Sequence, residues 1–165
     1  MADLGYVYSL YLAQWLTQNK KKLTIAESCT GGGLGYELTA VEGASIWFER
    51  GFVTYSNEAK QELLTVPSQT IQQFGSVSSE TALAMAEGAL QNSHADIALS
   101  VTGIAGPGGG TKEKPVGTVW FGIADRAGFK ETKREYFTSG RRHIRQETIE
   151  FALHWLVSHY VKLSL

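Results

Sequence analysis

Lys22-Leu23-Thr24-Ile25-Ala26-Glu27-Ser28-Cys29-Thr30-Gly31-Gly32-Gly33 is the stretch from which the rest of the chain can be read. Leu23 to Ala26 is a short apolar, β-branched run bounded by lysines on one side and polar residues on the other, the pattern of a buried strand. Leu34-Gly35-Tyr36-Glu37-Leu38, after the glycines, has helical spacing. A strand that feeds a helix through a tight turn sets the turn's side chains at the sheet edge. It also aims unpaired backbone N–H groups at whatever binds there. The glycines permit close approach to the backbone and the positive φ of a sharp turn. A hydroxyl or thiol at such a corner is well placed for a nucleophile. Ser28 or Thr30 would serve equally well as a plain helix cap.

Outward from this turn, the 165 residues suit one domain spanning 1–165 with a sizeable core. A composition of 43% hydrophobic and 19% charged residues is globular rather than disordered. A formal net charge of -1 supplies no basic face, so a nucleic-acid partner is not expected. Cys29 is the single cysteine, which excludes an internal disulfide and a cysteine-rich metal site. No signal-like segment and no apolar run of about 18 residues is present, so no membrane association is expected and the cytoplasm is the expected compartment.

Helical spacing of Leu4, Tyr8, Tyr11, Leu12, Trp15 and Leu16 predicts an amphipathic helix over 3–19, closed by Lys20-Lys21-Lys22 as a solvated end. The helix after the glycine turn is expected to run to about Val41. Gly51-Phe52-Val53-Thr54-Tyr55 is aromatic and β-branched, hence a strand. Asn57 is expected to cap a short helix that ends before Pro67, and Ser78 or Ser79 to start another. Asp96–Val101 and Val116–Ala124 read as buried strands, separated by a glycine-rich loop from Thr102 to Gly110. Residues 129–137 alternate polar and apolar and complete a hairpin with an exposed outer strand. A long helix over about 140–161 closes the chain.

Strands alternating with helices, followed by a hairpin, imply a three-layer α/β/α sandwich with a mixed β-sheet. Ligands in such sheets gather at the carboxyl ends of strands. Three strand ends carry unusual chemistry: Ser28-Cys29-Thr30, Tyr55-Ser56-Asn57, and Thr102-Gly103 with its loop.

With Asn57 as cap, Lys60 would be the third helical residue, where the dipole disfavours a cation. Burial there would lower its pKa and make it a general base toward a serine. An exposed, solvated lysine beside Glu62 fits the same spacing. Tyr55 could relay a proton or orient the serine, and would equally suit the core. Backbone N–H groups around Thr30 to Gly32 could form an oxyanion hole. Cys29, with no histidine beside it in sequence, ranks below Ser28 as nucleophile.

The glycine loop matches neither G-x-x-x-x-G-K-[ST] nor G-x-G-x-x-G, although its amides could still nest an anion. Arg141, Arg142 and Arg145 open the last helix, where acids are favoured, which makes sense if a substrate phosphate offsets them. A mildly strained, solvated helix start is the competing reading. His94, His143, His154 and His159 lack metal-ligand spacing, so no metal is expected.

Four ordered blocks carry a resemblance that covers nearly the entire chain. They are Ala26-Glu27-Ser28-Cys29-Thr30-Gly31-Gly32, the run from Trp47 through Tyr55 to Lys60, Gly103-Ile104-Ala105-Gly106-Pro107, and Lys114-Pro115-Val116-Gly117-Thr118-Val119-Trp120. Together they closely resemble the CinA C-terminal domain family, which includes the bacterial nicotinamide-nucleotide amidases. The resemblance implies a three-layer α/β/α fold and metal- and cofactor-free hydrolysis of the carboxamide of nicotinamide mononucleotide, with release of ammonia. It implies Ser28 as nucleophile, Lys60 as base and Tyr55 as the assisting catalytic residue. Substrate contacts are expected from Thr30, Gly31, Gly32, Thr102, Gly103, Gly106, Arg141 and Arg145. Where many members have serine and aspartate in the glycine-loop block, this chain has Thr102 and Gly108, which leaves backbone contacts as the expectation from that loop. The pyrophosphatase activity of the additional domain found in some members does not carry over to these residues. The alternatives are a non-catalytic nucleotide-binding or regulatory module, or an amidase for another small amide. A homodimer is compatible with the aromatic residues near the termini.

Overall fold

The apolar and alternating runs pair into one mixed sheet of order β2-β1-β3-β4-β5. The structure, a computed structural model, describes residues 3–163. The strands are β1 (Leu23–Glu27), β2 (Phe48–Val53), β3 (Ile97–Gly103), β4 (Thr118–Asp125) and β5 (Lys130–Tyr136). β1 lies between β2 and β3 and is parallel to both, while β3, β4 and β5 run antiparallel. Parallel neighbours need crossovers, and helices supply them. The helices are α1 (Leu4–Gln18), α2 (Gly33–Thr39), α3 (Asn57–Leu64), α4 (Ser68–Phe74), α5 (Ser79–Gln91) and α6 (Arg141–Leu156).

The pleat sorts the side chains into two unequal cores. Leu23, Ile25, Ile97, Leu99, Val101, Val119, Phe121 and Ile123 point to one face, where α1, α2 and α6 cover them. The opposite face carries the small residues Ala26, Ala98 and Ala124 against Met85, Ala86 and Ala89 of α5. Small residues let α5 sit close to the sheet: Ser100 Oγ donates to the Ala82 carbonyl at 2.5 Å, and a Cβ on Gly122 would lie 2.6 Å from that same oxygen. α3 and α4 pack against α5 on this side. The result is the expected three-layer α/β/α sandwich with a mixed sheet, and β5 is its exposed outer strand. No described helix is long and apolar enough to cross a membrane.

Several boundaries differ from the sequence expectation for physical reasons. Ser56, not Asn57, caps α3, its Oγ accepting from Ala59 N at 3.0 Å. Lys60 is therefore the fourth helical residue. β2 begins at Phe48 and ends at Val53, which leaves Thr54 and Tyr55 beyond the sheet. α2 stops at Thr39 rather than Val41. α4 went unforeseen because its sequence, Ser-Gln-Thr-Ile-Gln-Gln-Phe, buries only Ile71 and shows little periodicity. The last helix changes to a π-helical turn at Val157–Val161 instead of continuing as α-helix.

Candidate active site

Ser28 follows β1 directly, and its amide still bonds to Val101 O at 3.1 Å, so the sheet holds it in place. The chain then folds back on itself: Gly31 N donates to Ser28 O and Gly33 N to Thr30 O, both at 3.0 Å. Gly31 and Gly32 have φ of 58° and 98°, a left-handed backbone that glycine adopts at no steric cost. Gly33 is needed for a different reason, since a Cβ there would come within 2.8 Å of Ile149 on α6.

Two charged side chains brace this turn. Glu27, only 1% exposed, accepts from the Thr30 hydroxyl at 2.7 Å, from Leu34 N at 2.8 Å and from Gly35 N at 3.1 Å. A buried carboxylate at a helix N-terminus satisfies two orphan amides and complements the dipole. Arg145 grips the turn from α6, with Nε donating to Cys29 O and Nη2 to Thr30 O, each at 3.1 Å.

Lys60 comes from the first turns of α3 and is 1% exposed. Its Nζ lies 3.1 Å from Ser28 Oγ, 3.0 Å from Thr54 O and 3.3 Å from Tyr55 O. Burial pushes the amine below its ordinary value of 10.5. A neutral amine has two N–H donors and one lone pair. A deprotonated Lys60 that kept its two N–H donors on the carbonyls would turn its lone pair to the Ser28 hydroxyl, an arrangement open to a base and a nucleophile. Cys29 is adjacent but inert as a thiolate source, because burial drives its pKa up to about 12.

A cavity of about 230 Å³ opens over this pair. Of the residues singled out from sequence, Ser28, Lys60, Tyr55, Thr102, Gly103, Gly106 and Arg141 line it. Arg141 reaches over the rim, donating to Gly106 O at 2.7 Å and to the Tyr55 hydroxyl at 3.2 Å. Tyr55 is 60% exposed, so it is no core residue, and its carbonyl rather than its hydroxyl meets Lys60. Thr102 turns its hydroxyl to Ser76 O at 2.7 Å.

The remaining expected contacts lie elsewhere. Thr30 and Arg145 line a separate cavity of about 430 Å³ between α2 and α6, together with Gly33 and Arg142. Gly31 and Gly32 shape the turn without lining the Ser28 cavity. Thr30 is buried with its hydroxyl on Glu27, and the Arg145 guanidinium is held by carbonyls, so neither side chain reaches toward a ligand over Ser28. Sequence reasoning passed over Glu27 as a bracing residue and the carbonyls of Thr54 and Tyr55 as partners of the base. An acid ending an otherwise apolar strand, just before a helix start, was the available signal for Glu27. Among the described residues, no three His, Cys, Asp or Glu side chains converge as a metal-ligand set.

The CinA C-terminal domain model matches residues 8–160. The chain belongs to the CinA C-terminal domain family. Its relatives in this CinA family include the nicotinamide-nucleotide amidohydrolase PncC of Escherichia coli K12, 46% identical over 151 residues, or 92% of each chain. A CinA-like protein of Geobacter sp. (strain M21) is 50% identical over 148 residues, 90% of this chain but 36% of that protein. The chain thus spans only about a third of the longer curated CinA relatives. The crystal structure of the competence/damage inducible protein CihA from Agrobacterium tumefaciens superposes with a TM-score of 0.92 at 42% identity, covering 96% of each chain.

Proposed function

We propose that this CinA domain is a serine amidohydrolase that converts nicotinamide mononucleotide to nicotinic acid mononucleotide and ammonia. The observation that carries the reading is the buried Lys60–Ser28 pair at 3.1 Å beneath an open cavity. The name of the E. coli relative supports the choice of substrate.

Neutral Lys60 takes the Ser28 proton as Oγ attacks the carboxamide carbon. The resulting oxyanion is held by amides of the turn after Ser28. Protonated Lys60 returns its proton to the departing nitrogen, so ammonia leaves and an ester remains on Ser28. A water molecule, deprotonated by the same amine, attacks the ester. The acid product departs and Ser28 recovers its proton. Thr54 O and Tyr55 O hold the amine through both protonation states. Arg141, with the Tyr55 hydroxyl beside it, and the loop backbone at Gly103 and Gly106 offer the cationic and N–H groups that a ribose phosphate needs. No step calls for a metal ion.

The test is ammonia release from nicotinamide mononucleotide, with the acid nucleotide measured as the second product. Equimolar formation of both supports the reading. Binding of the nucleotide without turnover would make the domain a ligand-holding module, and turnover of another amide alone would replace the substrate.

A further inference from the structure

Arg145, an expected substrate contact, instead donates through Nε and Nη2 to the nucleophile turn, 115 and 116 residues away in sequence. The two carbonyls it grips, Cys29 O and Thr30 O, are consecutive and point to the same side. The Cys29–Thr30 bond is not among the cis peptides, so the Thr30 N–H points opposite to Cys29 O. Arg145 and its cavity, which Thr30 also lines, lie on the α2–α6 side of the turn, whereas Ser28 and Cys29, the two residues before Thr30, line the cavity over Ser28. Most of the neighbouring donors are already occupied: Gly31 N by Ser28 O, Gly33 N by Thr30 O, and Leu34 N and Gly35 N by Glu27. The amides of Cys29, Thr30 and Gly32 have no acceptor among the described residues, and of these Thr30 is the one whose peptide plane Arg145 holds through Cys29 O. A Cβ at Gly31 would sit 3.4 Å from Nη2, an ordinary contact, so it is the φ of 58° rather than the guanidinium that calls for glycine there.

We propose that Arg145 is a positioning residue for the amidase reaction. By drawing the carbonyls of Cys29 and Thr30 toward α6, it turns the Thr30 amide toward the Ser28 cavity and keeps it there as an oxyanion donor. This inference rests on the serine amidohydrolase reading. It assigns Arg145 no contact with substrate. A peptide plane held by a planar, two-pronged donor cannot rotate, and a preorganised donor is what transition-state stabilisation requires.

The experiment compares wild type with Arg145→Ala and Arg145→Lys, using nicotinamide mononucleotide for kcat and KM. A fluorophosphonate serves as a substrate-independent probe of Ser28, since its phosphoryl oxygen needs the same donor. Losing one oriented oxyanion donor costs about 100-fold or more, so Arg145→Ala is expected to lower kcat and the labelling rate by about that factor while KM changes by less than about 3-fold. Lysine cannot bridge both carbonyls and is expected to restore little. Added guanidinium ion is expected to fill the vacated space and recover kcat at unchanged KM, a response that general loss of folding would not give. If Arg145→Ala does not fold, the same fall in kcat at constant KM is required of Arg145→Lys. A raised KM with kcat preserved, or unchanged labelling, would overturn the proposal. Wild type that labels on Ser28 but releases no ammonia would count against the substrate reading, and the labelling rates would still decide the role of Arg145.

Discussion

The Nζ of Lys60 and the Oγ of Ser28 are 3.1 Å apart although 32 residues separate them in sequence. They arrive from the carboxyl ends of adjacent parallel strands, β1 and β2. That pairing brings a buried amine and a buried hydroxyl into hydrogen-bond contact, the contact on which the proposed serine–lysine mechanism rests.

The pH dependence follows from the lowered Lys60 value. Below that pKa the amine is an ammonium and cannot accept the Ser28 proton. The rate is therefore expected to rise with pH to a plateau, with its midpoint in the kcat profile below 10.5. Stability carries the same linkage. A depressed folded pKa contributes stability above the unfolded value and loses it as pH falls through the folded value. Lys60→Met, which has no proton to hold, should abolish turnover. It should also gain stability relative to wild type as pH is lowered from 10.5 toward the folded value, read by denaturant titration across that range.

Cys29→Ala separates the two neighbouring nucleophile candidates. With its thiol pushed up to about 12, Cys29 has no useful thiolate fraction at neutral pH. The variant should keep kcat within about 3-fold, while losing about 1 kcal/mol of stability from the buried side chain it truncates. A collapse of kcat in a protein that still melts cooperatively would move the chemistry to sulfur.

Glu27→Gln tests the brace beneath the turn. An amide side chain cannot accept at both ends as the carboxylate does, so one of Leu34 N, Gly35 N and the Thr30 hydroxyl loses its partner. Leaving a buried donor unsatisfied costs about 1–3 kcal/mol. Equilibrium unfolding should show a loss in that range, accompanied by a lower kcat as the turn loosens.

Close packing of α5 gives a prediction unrelated to catalysis. A Cβ at Gly88 would overlap the Leu64 carbonyl, whereas one at Gly108 meets nothing within 4 Å. Gly88→Ala should therefore cost about 1–3 kcal/mol through overpacking, with Gly108→Ala near neutral. Thermal melts of the two variants make the comparison.

The sheet and its glycine turn were legible because their signals are local: apolar runs at β1, β3 and β4, and a hydroxyl-glycine corner after Glu27. The cap at α3 was misread by one position because Ser56 and Asn57 are both competent caps, and only the extended ψ of 162° at Ser56 decides between them. The arginines were harder still. Arg141 and Arg145 sit one turn apart on α6, and composition treats them alike, yet one faces the Ser28 cavity and the other the back of the turn. That distinction depends on how α6 crosses the sheet, which no local pattern encodes. Likewise the carbonyls that hold Lys60 are main-chain atoms of Thr54 and Tyr55, invisible to any reading of side-chain types.

The most direct measurement is ammonia release from nicotinamide mononucleotide by Ser28→Ala beside wild type, at a pH above the Lys60 midpoint and with both proteins shown to be folded. The account predicts a fall of at least about 10⁴-fold in kcat, since no other group near the amine can form the ester. Retention of turnover within about 10-fold of wild type would show that the alcohol does not carry the reaction, and the serine–lysine mechanism would be wrong.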